Sequence, residues 1–283
     1  MTTRPRIVLG IAAVIGMAAC AACGPIPGWA ASGLLHPSRR QLDPAIVAKY
    51  GTLTLQGDGV TLEGWKLPAR GTARGTVVYL HGVADNRGSS LGAARLTERG
   101  FDLLAYDSRA HGSSGGDACT YGYYEKRDLS RVLDLVERQP IVVIGSSLGA
   151  AVALQAAAED DRIKAVVAAE SFSDLETIAR ERAPTFLTNG SIRKAFAIAE
   201  AQGKFVVADV SPVRAAARIH APVLLLHGAV DRDTSLSHSQ RIFDALARSK
   251  QLIVVPSAGH NQALQASVWP RIEAWIDQVV GSL

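Results

Sequence analysis

Apolar residues in this chain fall into short, nearly unbroken runs. These alternate with stretches where they recur every three or four positions. Residues 76–80, 101–106, 141–144, 163–169, 223–226 and 252–255 are apolar at almost every position, as in strands buried on both faces of a parallel sheet. Residues 53–56 and 61–67, joined through Gly57-Asp58-Gly59, read as an antiparallel hairpin. Helical spacing occupies residues 90–99, 124–138, 148–158, 239–247 and 272–280. The second of these carries Leu129, Val132, Leu133, Leu135 and Val136 on one face. Strand and helix alternate, which predicts an α/β fold: a mostly parallel sheet with helices on both faces.

The alternation breaks once. Residues 171–220 hold helical spacing near 175–182 and 192–202 and no run of the buried-strand type. An insertion of this size folds over the strand ends as a small helical cap, or packs on one sheet face; the cap is the reading favoured here. Its apolar residues, among them Phe186, Leu187, Ile192, Phe196, Ile198, Phe205 and Val206, suit the lining of an acyl pocket or plain packing.

The N-terminus follows another pattern. Arg4 and Arg6 precede residues 7–22, which carry no charge, and the next basic residue is Arg39. A basic start followed by such a stretch predicts a secretory signal or a short membrane anchor within residues 1–23. Met17-Ala18-Ala19-Cys20 loosely resembles a lipoprotein box, and Gly24-Pro25-Ile26-Pro27-Gly28 reads as a helix-breaking linker. The expected organisation is signal or anchor plus linker at 1–40 and one folded domain at 41–283. That domain would lie outside the cytoplasm, with membrane association through the N-terminus.

Composition narrows the function. Of 283 residues, 48% are apolar, enough for one large core. Net charge is +4, without a Lys/Arg stripe or an aromatic–basic ladder, so no nucleic-acid partner is expected. Three cysteines make no disulfide framework, and no His-Glu-x-x-His or close His/Cys set recommends a metal; no cofactor is expected.

The chemistry lies in serine motifs. Gly-x-Ser-x-Gly occurs three times, centred on Ser90, Ser114 and Ser147, and residues 88–94 repeat residues 145–151 letter for letter. Context separates them. Ser90 follows a polar loop and reads as a helix-start serine; Ser114 lies in a Gly/Ser loop. Only Ser147 has a buried-type strand before it and a helix after it, which sets a serine on a sharp turn with its hydroxyl exposed. Such a hydroxyl needs a base, an acid to orient the base, and donors for the developing oxyanion. The strand at 223–226 runs into His227-Gly228-Ala229-Val230-Asp231, and the strand at 252–255 into Pro256-Ser257-Ala258-Gly259-His260. Asp231 and His260 therefore follow strand ends, in the order serine, acid, histidine. Asp233 and Glu170 are rival acids. His81 and His227 precede glycine at strand ends and read as packing histidines. The oxyanion donors expected are the backbone N–H groups of Leu148, which follows the serine, and Val83, in the loop after 76–80.

Together these residues resemble the α/β-hydrolase superfamily, nearest to its esterase and acylglycerol-lipase-like branch. The resemblance rests on Tyr79-Leu80-His81-Gly82, Tyr106-Asp107-Ser108-Arg109-Ala110-His111-Gly112-Ser113-Ser114, Gly145-Ser146-Ser147-Leu148-Gly149, Ser211-Pro212, Ala221-Pro222-Val223-Leu224, His227-Gly228-Ala229-Val230-Asp231 and Gly259-His260, and spans about residues 50–283. Ala110 stands where a glycine is common and Val83 where a polar residue often occurs. The resemblance implies hydrolysis of a small-molecule carboxylic ester of small or medium acyl chain through an acyl-enzyme. A thioesterase, an acyl-peptide hydrolase and a non-catalytic binding protein on the same scaffold remain alternatives.

Overall fold

The sheet accounts for most of the fold and for the placement of the candidate residues. The computed structural model describes residues 25–281. Its strands are β1 (Leu53–Gln56), β2 (Thr61–Leu67), β3 (Gly75–Leu80), β4 (Phe101–Tyr106), β5 (Ile141–Ser146), β6 (Ile163–Ala169), β7 (Val223–Gly228) and β8 (Lys250–Val255). They form one sheet in the order β1-β2-β4-β3-β5-β6-β7-β8. β2 pairs antiparallel with β1 and β4; all remaining pairs are parallel, with Val78 opposite Val143 and Val143 opposite Val166.

The two sheet faces bury different residues, as the two-residue period of a strand requires. Val78, Leu80, Val143 and Leu225 face α3 (Glu125–Leu133), α4 (Leu148–Ala157) and α8 (Leu236–Ala245). Val77, Tyr79, Val142, Ile144 and Leu226 face a 3₁₀ helix at Arg87–Arg99 and α9 (Trp269–Val280). Every strand of β3 to β7 is buried on both faces, which is why each reads as an apolar run.

Three expectations need correction. Residues 90–99 wind as 3₁₀ rather than α-helix, starting at Arg87 under an Asn86 cap and stopping at Gly100 with φ 87°. The helix expected over 124–138 ends at Leu133, and Leu135 beyond it stands exposed. The chain there must return to β5 through Pro140, which disfavours helix in the residue before it. The supposed linker is helical from its second residue. α1 (Pro25–Leu35) starts on a proline, whose missing N–H costs nothing at a helix start.

α1 buries Ala31 and Leu35 completely, in a cluster with Phe172, Leu175, Ile178, Ala199 and Phe205. The interrupted stretch thus has two parts. α5 (Leu175–Glu181) and α6 (Asn189–Gly203) pack with α1, whereas α7 (Pro212–Ala216) and Ile219 join the sheet core. α2 (Pro44–Tyr50) precedes β1 and is capped by Asp43. No helix among the described residues is long and apolar enough to cross a membrane. The signal or anchor reading, with Cys20 and Cys23, falls on residues outside those described.

Candidate active site

β5 turns into α4 through a single residue, Ser147, at φ 50° and ψ −110°. A non-glycine residue there is strained, so its surroundings must hold it. The Ser147 N–H donates to the Ala169 carbonyl at 2.8 Å. The flanking glycines are a steric necessity. A Cβ on Gly145 would overlap the backbone of Gly149, and one on Gly149 would overlap the carbonyl of Leu80. Strand and helix approach this closely only without those side chains.

His260 and Asp231 meet Ser147 at the same sheet edge. His260 Nδ1 lies 2.7 Å from Asp231 Oδ2, and His260 Nε2 lies 3.0 Å from Ser147 Oγ. A carboxylate only accepts, so Nδ1 carries the ring proton and Nε2 accepts from the serine hydroxyl. The other Asp231 oxygen accepts the N–H groups of Asp233 and Thr234, both at 2.9 Å. Burial alone would raise the Asp231 carboxyl. The hydrogen bonds from His260 and from the Thr234 and Asp233 backbone outweigh it and hold the group below the usual carboxylate range. His227 braces this loop: its ring lies 2.8 Å from the Thr234 carbonyl and 2.7 Å from the Ser239 hydroxyl, and burial keeps it neutral.

The rivals are engaged elsewhere. The Ser90 hydroxyl is buried and accepts from Trp65 Nε1 at 3.1 Å; it lies within the 3₁₀ helix rather than at its start. Ser114 Oγ donates to the Asp107 carbonyl and accepts from the Glu63 N–H. Asp233 lines the cavity over Ser147 and offers His260 no hydrogen bond. Glu170 accepts backbone N–H groups of residues 261–263. His81 is buried, accepts the Ser108 N–H and lies 2.7 Å from the Gly82 carbonyl.

The expected oxyanion donors lie beside the serine. Leu148 opens α4, so its N–H has no partner within the helix. A Cβ on Gly82 would come within 3.5 Å of the Ser147 Cβ, and Val83, next along, lines the same cavity. That cavity measures about 590 Å³ and is largely polar, with Arg182, Arg232 and Asp233 around Ser147 and His260. Arg182 Nε donates to the Asp233 carbonyl at 2.9 Å and its Nη2 to Thr234 Oγ1 at 2.8 Å. Sequence reasoning missed these arginines.

A separate apolar groove of about 300 Å³ runs between α1 and helices α5 and α6. Leu187, Ile192 and Phe196 line it, as do Trp29 and Leu34 of α1, and Arg182 borders both spaces. The other apolar residues expected of an acyl pocket do not: Phe186 and Val206 are exposed, Phe205 is buried in the cluster with α1, and Ile198 packs against that cluster.

Ligand-capable atoms of Glu170, Asp231 and His260 lie within 4.8 Å of one another. Each carboxylate is already bonded, Asp231 to the imidazole and to backbone N–H groups, Glu170 to backbone N–H groups alone. The trio therefore presents no open set of donors to an ion.

Comparison with known proteins agrees with this architecture. Residues 75–197 match the family model described as alpha/beta hydrolase fold. The uncharacterized protein YfhR of Escherichia coli K12 is 29% identical over 221 residues, covering 73% of this chain and 71% of its own. YqkD of Bacillus subtilis, also uncharacterized, is 29% identical over 213 residues, covering 71% and 70%. Among solved structures, the Pyrococcus furiosus esterase Pf2001 superposes with a TM-score of 0.66 at 24% identity, over 87% of this chain and 97% of that one. A bacterial membrane phospholipase A superposes at 0.64 with 15% identity, over 96% and 97%.

Proposed function

We propose that this protein of the α/β-hydrolase superfamily is a serine hydrolase that cleaves a carboxylic ester of small or medium acyl chain through an acyl-enzyme. The observation that carries the reading is the continuous hydrogen-bonded line Ser147–His260–Asp231 beyond the ends of β5, β7 and β8. Ser147 Oγ attacks the ester carbonyl carbon as its proton passes to His260 Nε2. Asp231 orients the ring and stabilises the imidazolium. The tetrahedral oxyanion faces the N–H groups of Leu148 and Val83. The imidazolium then protonates the departing alkoxide, leaving the acyl group on Ser147. Water, deprotonated by the same nitrogen, attacks that acyl group and restores the serine.

The alcohol half occupies the polar cavity, and an acyl chain runs past Arg182 toward the apolar groove. Residues 1–23 direct export or anchoring in this reading, so that hydrolysis takes place outside the cytoplasm. The test is labelling with a fluorophosphonate followed by peptide mapping, alongside hydrolysis of p-nitrophenyl esters. The expected result is one modified peptide, carrying Ser147, and ester hydrolysis that Ser147→Ala abolishes. A modified Ser90 or Ser114 peptide, or an active Ser147→Ala protein, would overturn the reading.

A further inference from the structure

Glu170 is a buried, ionisable group that the mechanism above leaves unused. It follows β6, the strand beside the serine turn, and is only 1% exposed. Its backbone sits at φ 57°, a conformation a glutamate adopts only where its neighbours hold it. Its N–H donates to the Leu226 carbonyl at 2.8 Å, which ties it to β7, the strand leading to Asp231.

The carboxylate reaches the other loop. Oε2 accepts the Asn261 N–H at 2.5 Å; Oε1 accepts the Ala263 N–H at 2.9 Å and the Gln262 N–H at 3.2 Å. These are the three residues that follow His260, and Asn261 is itself left-handed at φ 63°. Successive N–H groups converging in this way make a concavity for an anion, and here a side chain of the protein fills it. Charge lies close as well, since an oxygen of Glu170, an oxygen of Asp231 and a nitrogen of His260 fall within 4.8 Å of one another. Burial raises the Glu170 carboxyl, against the pull of the Ala263 and Asn261 N–H groups and of His260. Tyr79 of β3 feels Glu170 as well, but burial pushes its phenol up to about 12, so it stays neutral.

We infer that Glu170 is a positioning residue: its carboxylate fixes the loop after His260, and so holds the imidazole at bonding distance from Ser147. The inference rests on the hydrolase reading for its kinetic consequence but not for its effect on the imidazole. Glutamine is a poor replacement. Its single oxygen cannot take all three N–H groups, and its NH₂ would turn a donor toward another donor. Aspartate keeps the charge but is one methylene short.

The test compares wild type, Glu170→Gln and Glu170→Asp by hydrolysis of p-nitrophenyl butyrate across pH. In parallel, NMR follows the His260 Nδ1–H resonance, the proton held by Asp231, in the Ser147→Ala background. Glu170→Gln should lower kcat about 10- to 100-fold, the range for ångström-scale misplacement of a reacting group, with KM within about twofold. A ring that has left its place changes its hydrogen bond to Asp231, so the Nδ1–H resonance should shift or broaden in Glu170→Gln. Glu170→Asp should lower kcat less than Glu170→Gln does. The inference fails if Glu170→Gln leaves the Nδ1–H resonance in place, or lowers kcat only in step with its melting temperature. Should the wild type hydrolyse no ester, the NMR arm still decides the inference, while the hydrolase reading alone is lost. If Glu170→Gln does not fold, Glu170→Asp carries the decision: kcat unchanged from wild type would refute the positioning role.

Discussion

Two carboxylates approach His260, but only Asp231 accepts from its ring, and this separates the acids by measurement. Asp231→Asn should lower kcat by about 10⁴-fold, because an amide no longer enforces the tautomer that leaves Nε2 free for the serine. Asp233→Asn should stay within a few-fold of wild type, since Asp233 meets the loop only through its backbone N–H. Steady-state kinetics of the two variants checks the assignment, and the reverse order would move the acid to position 233. A second residue-scale case is Ala110. It sits at φ 60°, in the left-handed region, where the Cβ is a penalty that glycine escapes. That is the physical reason glycine suits the position where this chain carries alanine. Ala110→Gly should stabilise the protein by up to about 1 kcal/mol, read as a higher denaturant midpoint.

Among the elements, α1 departs most from its local signals. Two prolines and two glycines within residues 24–28 read as a linker, yet a proline in the first helical turn lacks only an N–H that would have no partner there. What holds the helix is long-range: Ala31 and Leu35 are buried against residues 172–205, a contact that no window of sequence displays. The expected boundary at residue 40 would therefore cut through packed structure. A chain beginning at residue 24 keeps all of α1. One beginning at residue 41 loses the burial of Leu35 and exposes Leu175, Ile178 and Phe205, and should be less stable by several kcal/mol. Equal melting of the two truncations would show that α1 contributes nothing. Elements whose environment is uniform read most plainly. β3, β4, β5 and β7 are buried along their whole length, so each announces itself as an apolar run. The serine turn is legible for a partly local reason: Gly145 is demanded by backbone contact with Gly149 in the same motif, although Gly149 itself answers to the carbonyl of Leu80. The grip of Glu170 on residues 261–263 was not legible. It depends on two loops, about ninety residues apart, that meet only because a single strand, β7, lies between β6 and β8.

At the scale of the whole molecule, the same burial that fixes the loops gives the fold a response to acid. Four histidines are fully buried: His81, His111, His227 and His238. Burial holds all four below the usual histidine range, and His111 down to about 4. His111 shows why. Its Nε2 has no hydrogen-bond partner, and the His81 ring lies 5.2 Å away, so a proton there would be unsolvated and beside a second imidazole. Above about pH 6.5 these rings are neutral in both the folded and unfolded chain and titration favours neither. As pH falls below that value the unfolded chain takes up protons that the folded one refuses, so stability declines toward pH 4. Asp231, depressed in the folded state, adds stability above about pH 4 that is lost only at lower pH. Loss should therefore begin near pH 6.5, well above the carboxylate range, and steepen below pH 4. Thermal unfolding of the Ser147→Ala protein from pH 7.5 to 4.5 measures this free of turnover. A melting temperature that stays flat down to pH 4.5 would mean that the buried rings accept protons in the folded state. Replacing His111 by glutamine removes one titrating group, and the slope between pH 6 and 4.5 should fall with it.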